Sequence, residues 1–232
     1  MQDDIDGWRR GLRETLLARR QALPAASREA ATAAIVTQLR AALPAPETLT
    51  IAFFAPFRAE PDLRPLIDEW RAAGARTALP VVVARGEPME FRLWWPGAPV
   101  KRGAFSLPEP DGTPLVTPQV VLLPPVGFDA QGYRLGYGGG FFDRTLAALT
   151  PAPLKIGVAF EAARVETIRP QPYDVPLDIV ITEAGMWRVG AGGLEALPAD
   201  SVLLPAGRRQ ASTAETCASP PCYLDDFKGE DA

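Results

Sequence analysis

A glycine-rich segment at residues 124–144, PPVGFDAQGYRLGYGGGFFDR, constrains the fold of this chain more than any other stretch. An aliphatic run at residues 119–125, QVVLLPP, leads into this segment. The run predicts a buried parallel β-strand that is followed at once by a turn. Residues 141–149 then have the apolar spacing of a helix. A strand, a glycine-rich turn and a helix in this order predict an α/β fold with a binding loop between the strand and the helix.

The composition of the turn favours an anionic ligand. Its glycines can adopt positive φ, so that successive backbone N–H groups point into one concavity, at which the following helix also aims its dipole. The glycines concerned are Gly136, Gly138, Gly139 and Gly140. Glycine-rich turns are often purely structural, but here Arg134 and Arg144 add cations on both sides and Asp143 adds an oxygen ligand suited to Mg²⁺. The segment matches neither a Walker A loop nor the G-x-G-x-x-G order of dinucleotide folds.

The chain contains no histidine, which excludes several reaction mechanisms. Histidine is the commonest general base and metal ligand, so Ser-His-Asp, Cys-His and zinc-histidine chemistry are all ruled out. Phosphoryl transfer is compatible with this composition, because it depends mainly on positioning and on electrostatic stabilisation by cations and backbone donors.

Length and charge limit the remaining classes of protein. A chain of 232 residues is long enough for one α/β core, and its net charge of −4 argues against a general nucleic-acid surface. No apolar run approaches the roughly 18 residues of a membrane span, and two cysteines do not make a disulfide framework. We therefore expect a soluble, cytoplasmic protein that binds neither nucleic acid nor membrane, and we take a monomer as the expected oligomeric state.

Hydrophobic periodicity predicts alternating helices and strands after two N-terminal helices, and hence a three-layer α/β/α domain. Helices are predicted at residues 5–23, 27–43, 61–73 and 141–149, and strands at residues 49–54, 76–83, 89–94, 119–123, 155–160 and 178–182.

The segment VGFDAQGYRLGYGGGFFDR resembles the signature of the 5-formyltetrahydrofolate cyclo-ligase family, G-F-D-x-x-G-x-R-L-G-Y-G-G-G-Y/F-Y-D-R. Further segments follow in family order, among them RRGLR at residues 9–13 and AFFAPFRAEPDL at residues 52–63, so that the likeness covers about residues 8–185. The resemblance implies a single α/β domain of the NagB/RpiA/CoA-transferase group at residues 1–185. Residues 186–232, a polar segment rich in Pro, Ala and Gly that contains Cys217 and Cys222, are expected to form a loosely docked or disordered extension.

The resemblance also implies the reaction, the ATP-dependent cyclisation of 5-formyltetrahydrofolate to 5,10-methenyltetrahydrofolate with release of ADP and phosphate. ATP would be the co-substrate and Mg²⁺ the cofactor. Phosphorylation of the formyl oxygen would convert it into a leaving group, and N10 would then attack the formyl carbon. The first alternative is a catalytically weak paralogue that binds folate or nucleotide in a regulatory role, and the second is a CoA-transferase or sugar-phosphate isomerase that shares the fold but would leave the glycine-rich turn unexplained.

Site residues are carried over from the family position by position. The expected catalytic residues are Glu60, Arg134 and Asp143, and the expected metal ligands are Asp143 and Asp174. ATP binding is expected of Arg9, Arg13, Arg134, Leu135, Gly136, Tyr137, Gly138, Gly139, Gly140, Phe141, Phe142 and Arg144. Folate binding is expected of Phe53, Glu60, Met89, Tyr137, Gly138, Gly139, Gly140 and Phe141.

Residue types alone support a few of these roles. Arg9 and Arg13 are four residues apart, so they share one helix face and could bind a phosphate chain together. We interpret the neighbouring Arg10, Arg19 and Arg20 as solvated surface. Two positions depart from the family pattern: Phe142 replaces the usual tyrosine, and Tyr173 stands where a histidine is common.

Overall fold

The computed structural model describes residues 4–103 and 107–203 of the chain. Its helices are α1 (Ile5–Ala22), α2 (Ala25–Ala42), α3 (Arg64–Ala72) and α4 (Phe141–Ala148). Its strands are β1 (Thr50–Ala52), β2 (Arg76–Val81), β3 (Glu90–Leu93), β4 (Val100–Arg102), β5 (Pro108–Pro110), β6 (Val120–Leu123), β7 (Gly127–Phe128), β8 (Arg134–Leu135), β9 (Leu154–Val158), β10 (Ile179–Thr182), β11 (Gly185–Gly190) and β12 (Gly193–Leu197).

Eight strands form one sheet in the order β12-β11-β10-β9-β6-β1-β2-β3. The five central strands, β10, β9, β6, β1 and β2, are parallel to one another, while β3, β11 and β12 pair antiparallel at the two edges. Open parallel sheets bind ligands beyond the carboxyl ends of their strands. The topology therefore places the glycine-rich segment, which follows β6, at the expected edge of the sheet.

Alternate residues of the central strands enter two different cores, because successive side chains of a strand point to opposite faces. Val120 and Leu122 pack in one cluster with α2 and α3, represented by Leu39 and Ile67. Val121 and Leu123 pack in the second cluster with Leu146 of α4, Phe128 and Leu177. Helices on both faces of a central sheet confirm the predicted α/β fold.

The sheet continues past residue 185, where the domain was expected to end. Strand β11 pairs with β10 in register Thr182↔Gly185, and β12 pairs with β11 through the hairpin closed by Gly190↔Gly193. Leu203 is buried, and its N–H donates to the Ala42 carbonyl oxygen at 2.7 Å. The glycines that suggested a linker instead form a tight hairpin turn. The expected extension therefore does not begin at 186, and Cys217 and Cys222 lie outside the described residues.

In the part of the chain that the structure describes, no helix is both long and apolar enough to cross a membrane. The cytoplasmic location stays a prediction.

Asp129 of the glycine-rich segment has a structural role. Its side chain is 1% exposed and accepts hydrogen bonds from three backbone N–H groups, those of Gln131 (3.1 Å), Tyr133 (3.0 Å) and Ile168 (3.1 Å). These bonds shape the turn between β7 and β8 and attach the loop at residue 168 to it. The aspartate thus fixes the start of the segment that carries the candidate ligand-binding residues.

Asp129→Asn is expected to lower the free energy of unfolding by about 2 kcal/mol, because an amide N–H₂ cannot accept and one buried N–H loses its partner. Urea unfolding of the variant and the parent protein measures the difference. Asp68→Asn, an exposed position on α3, is the control and is expected to change stability by less than about 0.5 kcal/mol. Equal stability of the two variants would contradict the role assigned to Asp129.

Candidate active site

A cavity opens beyond the carboxyl ends of β1, β2 and β6, and four of the segments that line it carry most of the predicted site residues. Helix α1 contributes Asp6, Arg9 and Arg13, and the loop after β1 contributes Phe54, Phe57 and Glu60. The glycine-rich segment lines it from Arg134 to Asp143, and Tyr173 and Asp174 complete one wall. Most of the residues expected to bind ATP and folate therefore share one cavity.

The glycine-rich loop leads directly into helix α4. Gly138 has φ +96° and Gly140, which precedes the first helical residue, has φ +62°. Side chains outside the loop hold it in place: Arg13 Nε donates to the Gly136 carbonyl oxygen at 2.8 Å, and Arg144 Nη2 donates to that of Gly139 at 2.7 Å. A helix N-terminus behind glycines with positive φ fits the predicted anion cradle.

The buried Arg134 and the half-buried Asp143 form an ion pair at the base of the loop. Arg134 Nη2 donates to Asp143 Oδ1 at 2.9 Å, and Nη1 donates to the Val175 carbonyl oxygen. The Val175 N–H also donates to Asp143 Oδ1, at 3.0 Å. Burial lowers the pKa of Arg134, although Asp143 and Asp174 partly oppose this effect. Because both bonds go to Oδ1 and the Asp143 side chain is 20% exposed, its other oxygen can face a ligand in the cavity.

Arg9 and Asp174 form a second pair across the cavity wall. Arg9 Nη2 donates to Asp174 Oδ2, Nε donates to the Ile168 carbonyl oxygen at 3.1 Å, and Nη2 also donates to that of Arg169 at 3.1 Å. Asp174 Oδ2 further accepts the Gln171 N–H at 2.6 Å. These contacts attach helix α1 to the loop at residues 168–174.

The guanidinium of Arg13 also lines the cavity. Burial and the neighbouring charge of Arg9 lower its pKa, with Asp6 opposing them. An anion beside Arg13 would offset the repulsion from Arg9, whereas Arg9 and Arg134, the other two arginines of the lining, already pair with Asp174 and Asp143.

Glu60 is a buried carboxylate whose side chain is 2% exposed. Its Oε1 accepts the Tyr137 hydroxyl at 2.6 Å, and its Oε2 accepts the Phe57 N–H at 2.9 Å. Burial raises the pKa of Glu60 to about 7, and the Tyr137 hydroxyl, Arg20 and the Phe57 N–H limit the rise. Burial and the adjacent Glu60 likewise raise the pKa of Tyr137. The carboxylate therefore changes its protonation state close to neutral pH.

Glu60 is expected to make stability depend on pH. A carboxyl whose pKa is raised from 4.5 to about 7 favours the folded state when protonated, so that contribution is present below pH 4.5 and is lost as the pH rises through 7. Between pH 5 and 8 the free energy of unfolding should therefore fall by an additional amount on the order of 2 kcal/mol, relative to Glu60→Gln.

Urea unfolding of the two proteins at several pH values measures this difference. The amide of the variant loses the bond from Phe57, but that cost does not depend on pH and leaves the comparison of slopes intact. Parallel stability curves for the two proteins would contradict the raised pKa.

The structure does not bring every predicted site residue to the cavity. Phe53 packs in the core against Trp94, with ring centroids 5.4 Å apart, because it points to the sheet face that α2 and α3 cover. Phe54, the next residue, lines the cavity instead. Arg144 lies outside the cavity lining, with its guanidinium 5.3 Å from the Phe141 ring centroid. Met89, Phe141 and Phe142 line the cavity as expected.

Three functional candidates were not predicted from the sequence. Arg20, interpreted as solvated surface, is 6% exposed and its Nη2 donates to the Tyr137 hydroxyl at 2.6 Å. Glu109 is buried and lines the cavity, as does Phe57. The i, i+4 and i+11 spacing of Arg9, Arg13 and Arg20 on α1 is the one sequence signal that connects Arg20 to the other two.

The fold and the cavity define an α/β protein with a candidate ligand site at the carboxyl edge of its parallel strands. The family model described as the 5-formyltetrahydrofolate cyclo-ligase family matches residues 5–183. The chain therefore belongs to the 5-formyltetrahydrofolate cyclo-ligase family, which is a family of ligases.

Individual relatives agree with this assignment. The 5-formyltetrahydrofolate cyclo-ligase of Escherichia coli K12 is 34% identical over 146 residues, covering 60% of this chain and 80% of the relative. That of Mycolicibacterium smegmatis is 32% identical over 182 residues, covering 74% and 91%. The solution structure of Aquifex aeolicus 5,10-methenyltetrahydrofolate synthetase superposes with a TM-score of 0.68 at 28% identity, covering 82% of this chain and 96% of that one.

Proposed function

We propose that this protein cyclises 5-formyltetrahydrofolate to 5,10-methenyltetrahydrofolate with ATP, releasing ADP and phosphate. One observation supports this reaction above the others. The glycine-rich loop and Glu60 face the same cavity and are joined by the 2.6 Å hydrogen bond between Tyr137 and Glu60. A nucleotide on the loop and a folate at Glu60 would therefore be neighbours, as direct phosphoryl transfer requires.

The nucleotide side of the cavity carries three arginines, whose charges Asp6, Asp143 and Asp174 balance while no ligand is bound. Arg9, Arg13 and Arg134 line it, and the N-terminus of α4 lies behind Gly140. Arginines bind phosphate oxygens through paired N–H donors, and free backbone N–H groups of a glycine loop add further donors. In the proposed complex these groups hold the triphosphate and stabilise the charge on its transferring group.

The folate side is largely apolar. Leu79, Pro80, Val82, Met89 and Leu107 line it and offer a surface for the flat pterin and aminobenzoyl groups. Glu60 lies at the boundary between this surface and the glycine-rich loop. Its carboxylate would hydrogen-bond the folate and bring the formyl group toward the triphosphate.

The chemistry proceeds in two steps. The formyl oxygen attacks the γ-phosphorus of ATP, and the bond to ADP breaks. N10 then attacks the formyl carbon, the carbon–oxygen bond breaks, and phosphate leaves with the former formyl oxygen while the N10 proton is lost. Both steps need alignment and charge stabilisation, and neither needs a protein nucleophile or a histidine.

Mg²⁺ fits the residues that are present. Among the described residues there is no group of three or more metal-ligating side chains, but Mg²⁺ is commonly held by one or two carboxylates together with substrate phosphates. Asp143 would provide that ligand through its cavity-facing oxygen. Asp174, the second predicted ligand, would have to share its oxygens with Arg9. When bound, the ion would neutralise phosphate charge.

The test is an assay of the purified protein with Mg-ATP and 5-formyltetrahydrofolate. We expect the absorbance of the methenyl product to rise and one ADP to appear for each product molecule. Binding of both ligands without turnover would support the regulatory paralogue instead, in which Phe142 and Tyr173 would be the informative departures. The monomeric state and the lack of nucleic-acid or membrane partners stay predictions, which light scattering and binding assays can measure.

A further inference from the structure

Arg20, near the end of helix α1, contacts two separate parts of the candidate site. Its Nη2 donates to the Tyr137 hydroxyl at 2.6 Å and lies 3.6 Å from Glu60 Oε1. Its Nε donates to the Arg58 carbonyl oxygen at 3.0 Å. One guanidinium thus connects the helix, the glycine-rich loop and the turn that carries Glu60.

The turn at residues 57–60 is strained. Arg58 has φ +46° and Ala59 has φ +62°, a region that residues with a Cβ rarely adopt. Such conformations persist only where surrounding contacts impose them, and they are concentrated at functional sites. The bond from Arg20 to the Arg58 carbonyl oxygen is one of these contacts, together with the Phe57 N–H bond to Glu60 Oε2.

Burial distinguishes Arg20 from a surface cation. Its side chain is 7% exposed and that of Glu60 is 2% exposed, so both charged groups have lost most of their contact with water. A guanidinium can satisfy several acceptors at once in fixed directions, which an ammonium group cannot do. Arg20 uses this geometry to contact the Tyr137 hydroxyl and the Arg58 carbonyl oxygen simultaneously.

We infer that Arg20 is a positioning residue of the active site, which acts through Tyr137 and the 57–60 turn to set the glycine-rich loop and Glu60 in one fixed arrangement. The inference rests on the proposed function of the cavity, since it assigns the loop to the nucleotide and Glu60 to the folate. Arg20 is absent from the cavity lining and acts on the substrates only through the groups it holds.

Arg20→Gln should therefore lower kcat/KM about 10- to 100-fold for both substrates. Arg20→Lys keeps the positive charge but lacks the planar set of N–H donors of a guanidinium, so its kcat/KM should lie between those of Arg20→Gln and the parent protein. Tyr137→Phe removes the hydroxyl that relays the contact. The double variant Arg20→Gln/Tyr137→Phe should lose little more than the worse single variant, because both changes break the same connection.

Arg10→Gln is the matched control, since Arg10 is an exposed arginine on the same helix. It should leave kcat, both KM values and the melting temperature unchanged. The kinetic constants of all variants are measured below their melting temperatures. If Arg20 only attached helix α1 to the rest of the fold, Arg20→Gln would lower the melting temperature but leave the kinetic constants of the folded enzyme intact. That result, or full recovery by Arg20→Lys, would overturn the inference.

A readout without turnover separates this inference from the proposed function. Among the described residues, the Glu60 carboxylate faces the Arg20 guanidinium, the Tyr137 hydroxyl and the Phe57 N–H. Loss of Arg20 should raise the pKa of Glu60, which carbon NMR of labelled glutamate can follow, and should weaken binding of 5-formyltetrahydrofolate without ATP about tenfold. An inactive parent protein would refute the proposed function, whereas an unchanged Glu60 titration and unchanged binding in Arg20→Gln would refute the inference.

Discussion

Asp143→Asn should lower the turnover number for methenyl formation by about a thousandfold and leave the fold intact. The asparagine Oδ1 can still accept the bonds from Arg134 and Val175, so the local structure has the same acceptor. The variant loses the negative charge that balances Arg134 and the carboxylate that would hold Mg²⁺ beside the phosphates. Loss of one preorganised electrostatic contact of this kind commonly costs 10² to 10³-fold in rate.

Initial rates at saturating Mg-ATP and 5-formyltetrahydrofolate measure the effect, and circular dichroism checks the fold. Asp178→Asn is a close control, because Asp178 also accepts a backbone N–H, that of Lys155 at 2.8 Å, and pairs with a cation, Lys155 Nζ at 3.0 Å. Asp178 lies outside the cavity lining, so the turnover number of Asp178→Asn should match that of the parent protein. Equal rates in the two variants would contradict the catalytic role of Asp143.

Features that depend on neighbouring residues could be predicted from the sequence. The strand at β6, the turn with Gly138 and Gly140 at positive φ, and the start of α4 all follow from local composition. The predicted bounds of α1 and α2, residues 5–23 and 27–43, also lie within two residues of the observed ones, although α1 buries Arg9, Leu16 and Arg20 rather than an apolar stripe. These elements together were sufficient to predict the α/β fold and the edge of the sheet at which a ligand would bind.

Features that depend on distant contacts could not be predicted in this way. Phe53 and Phe54 are identical in chemistry, and only the position of their backbone at the end of β1 decides which one reaches the cavity. In the sequence, nothing distinguishes Arg20 from its exposed neighbour Arg19. The difference arises only in the fold, which brings Tyr137, 117 residues away, within hydrogen-bond distance of the Arg20 guanidinium. The hairpin of β11 and β12 has linker-like composition, and its pairing with β10 is what makes it part of the sheet.

A second large effect is expected at the glycine-rich loop. Gly138→Ala should raise KM for Mg-ATP about 100-fold, equivalent to a loss of about 2.7 kcal/mol in nucleotide binding. At φ +96° any Cβ strains the backbone, and an added Cβ would lie 3.5 Å from Arg13 Cζ. Because 3.5 Å is an ordinary van der Waals distance, the strain lies in the backbone, and the loop can relieve it only by moving the N–H groups that would contact the phosphates. KM for 5-formyltetrahydrofolate should change much less, because Glu60 and the apolar wall are left in place.

Gly97→Ala is the matched control for the backbone strain. Gly97 has φ +87°, an added Cβ would meet nothing within 4 Å, and the residue is exposed and outside the cavity lining. Both variants should lose a similar amount of stability, about 1 to 2 kcal/mol, from the left-handed backbone. Only Gly138→Ala should weaken nucleotide binding, which isothermal titration calorimetry with Mg-ATP can measure in the absence of folate. If the two variants bound Mg-ATP equally well, the loop would not be the nucleotide site, and the triphosphate would have to contact the arginines of α1 from another direction.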